Sequence, residues 1–223
     1  MWCIPPDQDA AFVAQMEQVL QVYARPYDPW HPVVCMDEQP KQLIREVCEP
    51  ITTSTGAQHV DHAYVREGVC EVWMFVEPLG GWRDVRVSAR RTAADWAQQV
   101  RALVDAPRYA DAQRITVVCD NLNTHRLASL YEAFEPAEAL RIANKIELVH
   151  TPKHGSWLNV AECELSVLSR QCLSRRISRS QTIAEASHVW ATARNARQIG
   201  VDWQFTTDNA RTKLKRLYPK VVE

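Results

Sequence analysis

Apolar residues recur at helical spacing between Asp9 and Tyr23, where Phe12, Val13, Met16, Val19, Leu20 and Tyr23 share a face, and this predicts a helix. Three prolines between Arg25 and Pro32 force extended or turning chain. A continuous apolar run, Val33 to Met36, then reads as a buried strand ending on Asp37, with Pro40 close behind and Lys41 to Cys48 as a turn of helix. Residues 49–63 are polar and irregular. Val69 to Val76 and the alternating Trp82 to Ala89 flank the turn Pro78-Leu79-Gly80-Gly81, the pattern of a hairpin. Ala93 to Val104 is a helix with Thr92 as N-cap and Asp95 three positions on. Arg114 to Asp120 is a second strand ending on a carboxylate, followed by helices at Arg126 to Phe134 and from Pro136 to Asn144, and a short strand at Ile146 to His150. The remainder reads as helix: Ser156 to Arg176, Thr182 to Arg197 opened by the capping box Thr182-x-x-Glu185, and a short basic helix from Asp208 to Leu217.

This order predicts a mixed sheet with helices packed on it, an α/β layer architecture. The strands that end on Asp37 and Asp120 should lie parallel and adjacent, so both carboxylates emerge at one sheet edge. Glu162, near the start of a facing helix, would complete a trio. Three such carboxylates suit Mg²⁺, which takes oxygen ligands, and two ions held there can run phosphoryl transfer. An Asp after a strand is also a common turn residue. Glu164, two residues after Glu162, faces away from it, so only one of the pair points at the pocket; spacing does not choose between them.

Composition narrows the picture modestly. The 223 residues are 46% hydrophobic and 24% charged, enough for a real core without staples. No apolar window of about 18 residues exists to span a membrane, and the N-terminus lacks the pattern of a secretory signal. Seven cysteines, an odd number without CxxC spacing, fit reduced thiols rather than a disulfide framework or zinc site. His59-Val60-Asp61-His62 resembles a metal cluster but lacks further ligands. Net charge is −1, yet the segment from Leu165 to Glu223 holds eleven Lys/Arg against four Asp/Glu. That asymmetry suits an acidic cation site in front and nucleic-acid backbone behind, or simply solvated helix faces.

The stretches CMDEQPKQL (Cys35 to Leu43), VVCDNLNTH (Val117 to His125) and TPKHGSWLNVAECELSVLSRQCL (Thr151 to Leu173) resemble bacterial insertion-sequence transposases related to mariner, the DDE-superfamily endonucleases. FVEPLGGWRDVRV (Phe75 to Val87) and DNARTKLKRLYP (Asp208 to Pro219) look similar too, so the resemblance covers nearly the whole chain. It implies an RNase H-like fold and a catalytic, metal-binding triad of Asp37, Asp120 and Glu162, the last because the family's Leu-Asn-x-x-Glu pattern falls on Leu158, Asn159 and Glu162. It also implies Mg²⁺, with Mn²⁺ as substitute and two ions expected, hydrolysis at transposon ends, and strand transfer into target DNA. The active complex would be at least a dimer.

Around the triad, His125 would touch a phosphate or orient a metal-bound water, or be a loop histidine. Asn159 belongs to the motif. Lys153 and His154 are phosphate contacts or a solvated loop, and Trp157 is a base-stacking platform or a core anchor. Arg170, Arg175, Arg176 and Arg179 are DNA-backbone contacts or an exposed helix end. The expected layout is an N-terminal helix and linker over residues 1–30, a catalytic core over 31–180 and a basic helical extension over 181–223. Relatives carry helix-turn-helix domains ahead of the core, whereas here only about 30 residues precede the first strand, so the chain is expected to be the catalytic portion, cytoplasmic and nucleoid-associated. The competing expectation is an inactive or truncated remnant that only binds DNA or oligomerises.

Overall fold

A computed structural model describes residues 7–48, 51–52, 55, 58–59 and 62–220. Part of the histidine-containing stretch at 59–62 therefore lies outside the described residues. Helix α1 (Ala10–Tyr23) is capped by Asp9, whose carboxylate accepts the Phe12 N–H at 2.9 Å. Strand β1 (Val33–Glu46) leads to a two-residue pairing of β2 (Ile51–Thr52) with β3 (Gln58–His59), then to β4 (Tyr64–Glu77) and β5 (Trp82–Ser88). Helix α2 (Ala93–Val104) has the expected reciprocal Thr92–Asp95 capping box. Strand β6 (Ile115–Cys119), helices α3 (Leu127–Ala133) and α4 (Pro136–Lys145) and strand β7 (Ile146–His150) follow. Helices α5 (Val160–Gln171), α6 (Ser180–Ala196) and α7 (Thr207–Lys213) complete the order.

The main sheet runs β5-β4-β1-β6-β7. β1 is antiparallel to β4, while β1, β6 and β7 are parallel, with Val33–Cys35 set against Thr116–Val118. Each parallel crossover needs a long connection: the hairpin and α2 serve the first, α3 and α4 the second. The sheet is the mixed five-stranded, helix-flanked sheet of the RNase H-like fold.

Strand alternation sorts the core into two layers. Val34, Met36, Trp73, Phe75, Val117 and Cys119 pack with Trp96, Val100 and Leu103 of α2 on one side. Cys35, Val72, Met74 and Val118 pack with α1, α5 and α6 on the other. Asp37 continues the alternation of Cys35 and so faces α5; Glu38 continues that of Val34 and Met36 and faces α2. Among the described residues no helix is long and apolar enough to cross a membrane.

β4 begins at Tyr64 rather than Val69, β2 and β3 fall in the stretch expected to be irregular, and three further differences stand out. β1 does not stop at Asp37, and Lys41 to Glu46 are strand rather than helix. Pro40 is tolerated because β1 pairs with β6 only as far as Cys35, so its missing N–H lies on an unpaired edge. The outer parts of β1 and β4 pair only with each other, with a register shift at Leu43/Ile44 beside Gly68, whose φ of 113° suits glycine. The second difference is α5, which starts at Val160 after a separate 3₁₀ turn (Ser156–Leu158) and ends at Gln171, leaving Arg175 and Arg176 beyond it. The third is α6, which begins at Ser180 and places Thr182 inside its first turn, so the proposed capping box does not form.

Candidate active site

Asp37 is half-buried in mid-strand, one oxygen accepting the Glu38 backbone N–H at 2.9 Å. Burial, then the charges of Asp120, Glu38 and Glu162, push its carboxyl up to about 8. Asp120 is the first residue past β6. Glu162 is exposed in the first turn of α5, where the helix N-terminus favours an acid.

Buried Asn159 sets where that turn lies. Its side chain accepts the Ala161 N–H at 3.1 Å as the α5 cap and donates to the Met36 carbonyl at 2.8 Å. The start of the helix is thereby tied to the residue preceding Asp37. Asp37, Asp120, Glu162 and Asn159 line one cleft of about 470 Å³, together with Glu38, Gln39, Ser156, Leu165, Ser166 and Ser169.

Among the described residues, no three His, Cys, Asp or Glu side chains already form a cluster able to hold one ion, so the three carboxylates share a cleft rather than a formed coordination shell. The donor set nevertheless suits Mg²⁺, which keeps several waters and needs only one or two carboxylates. The upward shift of Asp37 comes first from burial and then from the neighbouring carboxylates, and a divalent cation would offset both.

That shift has a sign. An acid held more tightly protonated in the folded state stabilises the fold at low pH and loses that contribution as pH rises from about 4 toward 8. His125 is also raised, to about 12: burial opposes its charge, but contacts with Asp120, Cys119 and Glu38 outweigh burial. Its loss of stabilisation begins only above its ordinary value of 6.5. Between about pH 5 and pH 6.5 the slope therefore belongs to Asp37 together with Glu71, whose carboxyl is also raised by burial. Melting of the metal-free chain in EDTA is expected to fall across that window, and Asp37→Asn is expected to flatten the fall. An equal slope in the variant would refute the assignment.

Glu164 has a different role from Glu162. It is buried, its Oε2 accepting from Arg83 Nε at 2.8 Å and its Oε1 from Arg194 at 2.9 Å. Arg83, itself 1% exposed along its side chain, also donates to the Gly81 and Ile199 carbonyls, and Asn195 brackets the Arg83 backbone through both its N–H and its C=O. This network joins β5, α5 and α6. Strand alternation placing Arg83 on the inward face with Val85 was the available signal for it.

The residues expected to meet DNA divide. Lys153 and His154 stand exposed on the loop before α5, His154 with a φ of 65°. Arg170 and Arg175 are exposed as well. Trp157 packs half-buried, its ring edge-on to Phe205 at 5.9 Å. Arg176 pairs with Glu46 at 2.6 Å and lies over the Tyr64 ring, so it fastens the chain after α5 to the β1–β4 extension. His125 is turned inward and 1% exposed, which removes it from direct contact with a phosphate. Gln39, Ser166 and Ser169 were missed by sequence reasoning; the serines fall at i+4 and i+7 from Glu162, which is the signal that would have found them.

The family model for the DDE superfamily endonuclease matches residues 32–184. Among solved structures, the Mos1 mariner paired-end complex with Mn is similar at a TM-score of 0.55 and 16% identity, over 88% of this chain and 60% of that one. The Mos1 strand transfer complex gives 0.55 and 15%, over 85% and 56%. The Mos1 paired-end complex with Mg gives 0.55 and 14%, over 99% and 66%. The chain thus spans under two thirds of the length of these solved chains, and at such identity the likeness is one of fold. No curated protein matches in sequence.

Proposed function

The chain belongs to the DDE superfamily of endonucleases, and from that membership we propose that it is the catalytic part of a mariner-related transposase. It hydrolyses DNA at transposon ends to free a 3′-hydroxyl and then directs that hydroxyl at a phosphodiester of target DNA. The observation that carries this reading is the cleft shared by Asp37, Asp120 and Glu162, drawn from a central strand, the end of its parallel neighbour and a facing helix. The Mos1 structures of like fold are described as paired-end and strand transfer complexes, with Mn or Mg, which supports DNA as substrate and a divalent ion as cofactor.

In each step a hydroxyl or water oxygen gives up its proton and forms a bond to phosphorus as the opposite P–O bond breaks, and the leaving oxygen takes up negative charge. Asp37, Asp120 and Glu162 would hold Mg²⁺ or Mn²⁺, which when bound would supply positive charge at those oxygens. Asn159 keeps Glu162 beside Asp37. Gln39, Ser166 and Ser169 present amide and hydroxyl groups along the wall. Exposed Lys153, His154, Arg170 and Arg175 meet the DNA backbone, and the active assembly is at least a dimer.

A short duplex incubated with the chain is expected to be nicked with Mg²⁺ or Mn²⁺ and left intact in EDTA. A pre-cut end bearing a 3′-hydroxyl is expected to join a second duplex. Duplex retention with no cleavage under either metal marks a DNA-binding remnant instead, and cleavage without joining marks a simple nuclease.

A further inference from the structure

We propose that Glu38, acting through the buried imidazole of His125, is a positioning residue that fixes the Asp120 carboxylate for metal binding. The inference rests on Asp120 being a ligand, as proposed above. Asp120 lies just past the end of β6, in a loop without regular structure, so the sheet ladder does not orient its side chain. His125 Nδ1 stands 2.5 Å from Asp120 Oδ1, and Nε2 stands 3.4 Å from Glu38 Oε2. The residue is held on both sides: its ring stacks on Trp96 at 5.7 Å and 24°, while its backbone N–H donates to the Leu122 carbonyl and its backbone carbonyl meets His150 Nε2 at 2.7 Å.

A carboxylate oxygen thus approaches each ring nitrogen, and Nδ1 also faces the Asp120 backbone carbonyl at 3.3 Å. Asp120 Oδ1 is buried against the ring while the residue lines the cleft, so Oδ2 is the oxygen left open to it. Glu38 is 92% buried, and its other neighbour, Arg91, is half-exposed and 4.0 Å away. Packing alone gives no reason to bury a carboxylate there; holding the imidazole does. Adjacent residues of β1 thus serve one site from opposite faces of the sheet, Asp37 directly and Glu38 through His125.

The test is Mn²⁺ affinity of the DNA-free chain, read by calorimetry, with melting measured alongside. Supporting partners of metal ligands are worth about 10–100-fold in affinity, so Glu38→Leu is expected to weaken Mn²⁺ binding at least about tenfold without lowering the melting midpoint, and His125→Leu at least as much. Glu38→Gln is expected to stay within about threefold of wild type, because its amide can donate to Nε2 and leave the Nδ1–H facing Asp120. A merely structural Glu38 would move melting and leave affinity alone. Wild-type affinity in Glu38→Leu, alongside weakened binding in Asp120→Asn, overturns the inference. Unchanged binding in Asp120→Asn instead overturns the metal-site reading, and this one with it.

Discussion

Glu162→Gln is expected to cut metal-dependent nicking by at least about a thousandfold, roughly 4 kcal/mol of activation free energy, while the chain melts as wild type does. The side chain is exposed on the first turn of α5 and shares its cleft with Asp37 and Asp120. Neutralising it removes like-charge repulsion from Asp37 and takes no packing from the core. Asp37→Asn and Asp120→Asn should each cost about as much. Combining two of the three should cost little more, since groups that act as a unit do not lose activity additively. Single-turnover nicking with Mn²⁺ measures this, and activity within tenfold of wild type would exclude Glu162 from the site.

Glu164→Gln, two positions along the same helix, is expected to do the reverse. Its carboxylate is the shared partner of Arg83 and Arg194, and the Arg83 guanidinium has almost no access to water. Removing one partner of a buried pair leaves a charge uncompensated, which costs about 3–5 kcal/mol; for a chain of this size that is on the order of 10 °C in melting midpoint. Arg83→Met should cost about the same, and the double variant Arg83→Met/Glu164→Leu less than the two singles together, because the lone buried charge is gone. Urea unfolding followed by circular dichroism reads all three. A Glu164→Gln midpoint equal to wild type would show that Arg194 and the carbonyls around Arg83 suffice.

Such contrasts show what the chain's pattern discloses and what it conceals. The runs Val33 to Met36 and Ile115 to Cys119 are apolar at every position because they lie inside the sheet, so both strands and their parallel pairing were readable. The Thr92 cap was readable because its partner is three residues away. Pro40 misled because a proline is compatible with a strand wherever one edge is free, a property of neighbours and not of the local sequence. The start of α5 was placed early because the signal lay in Asn159, whose partner, Met36, is 123 residues distant. For the same reason, local spacing did not separate Glu162 from Glu164: the partner that draws Glu164 inward, Arg83, is 81 residues away. Arg176 was read as an outward-facing group because the carboxylate that claims it, Glu46, comes from β1, and one of the two carboxylates beside buried His125, Glu38, comes from β1 as well.

The sheet order carries a cost during synthesis. β1 sits between β4 and β6, and its cleft is closed only by a helix beginning at Val160, 123 residues after Asp37. A ribosome adding about 5–20 residues per second takes roughly 6–25 s over that interval. Throughout it the apolar run before Asp37 lacks its full cover and is open to mispairing. The same delay keeps the three carboxylates of the cleft apart until Glu162 has been added to the chain.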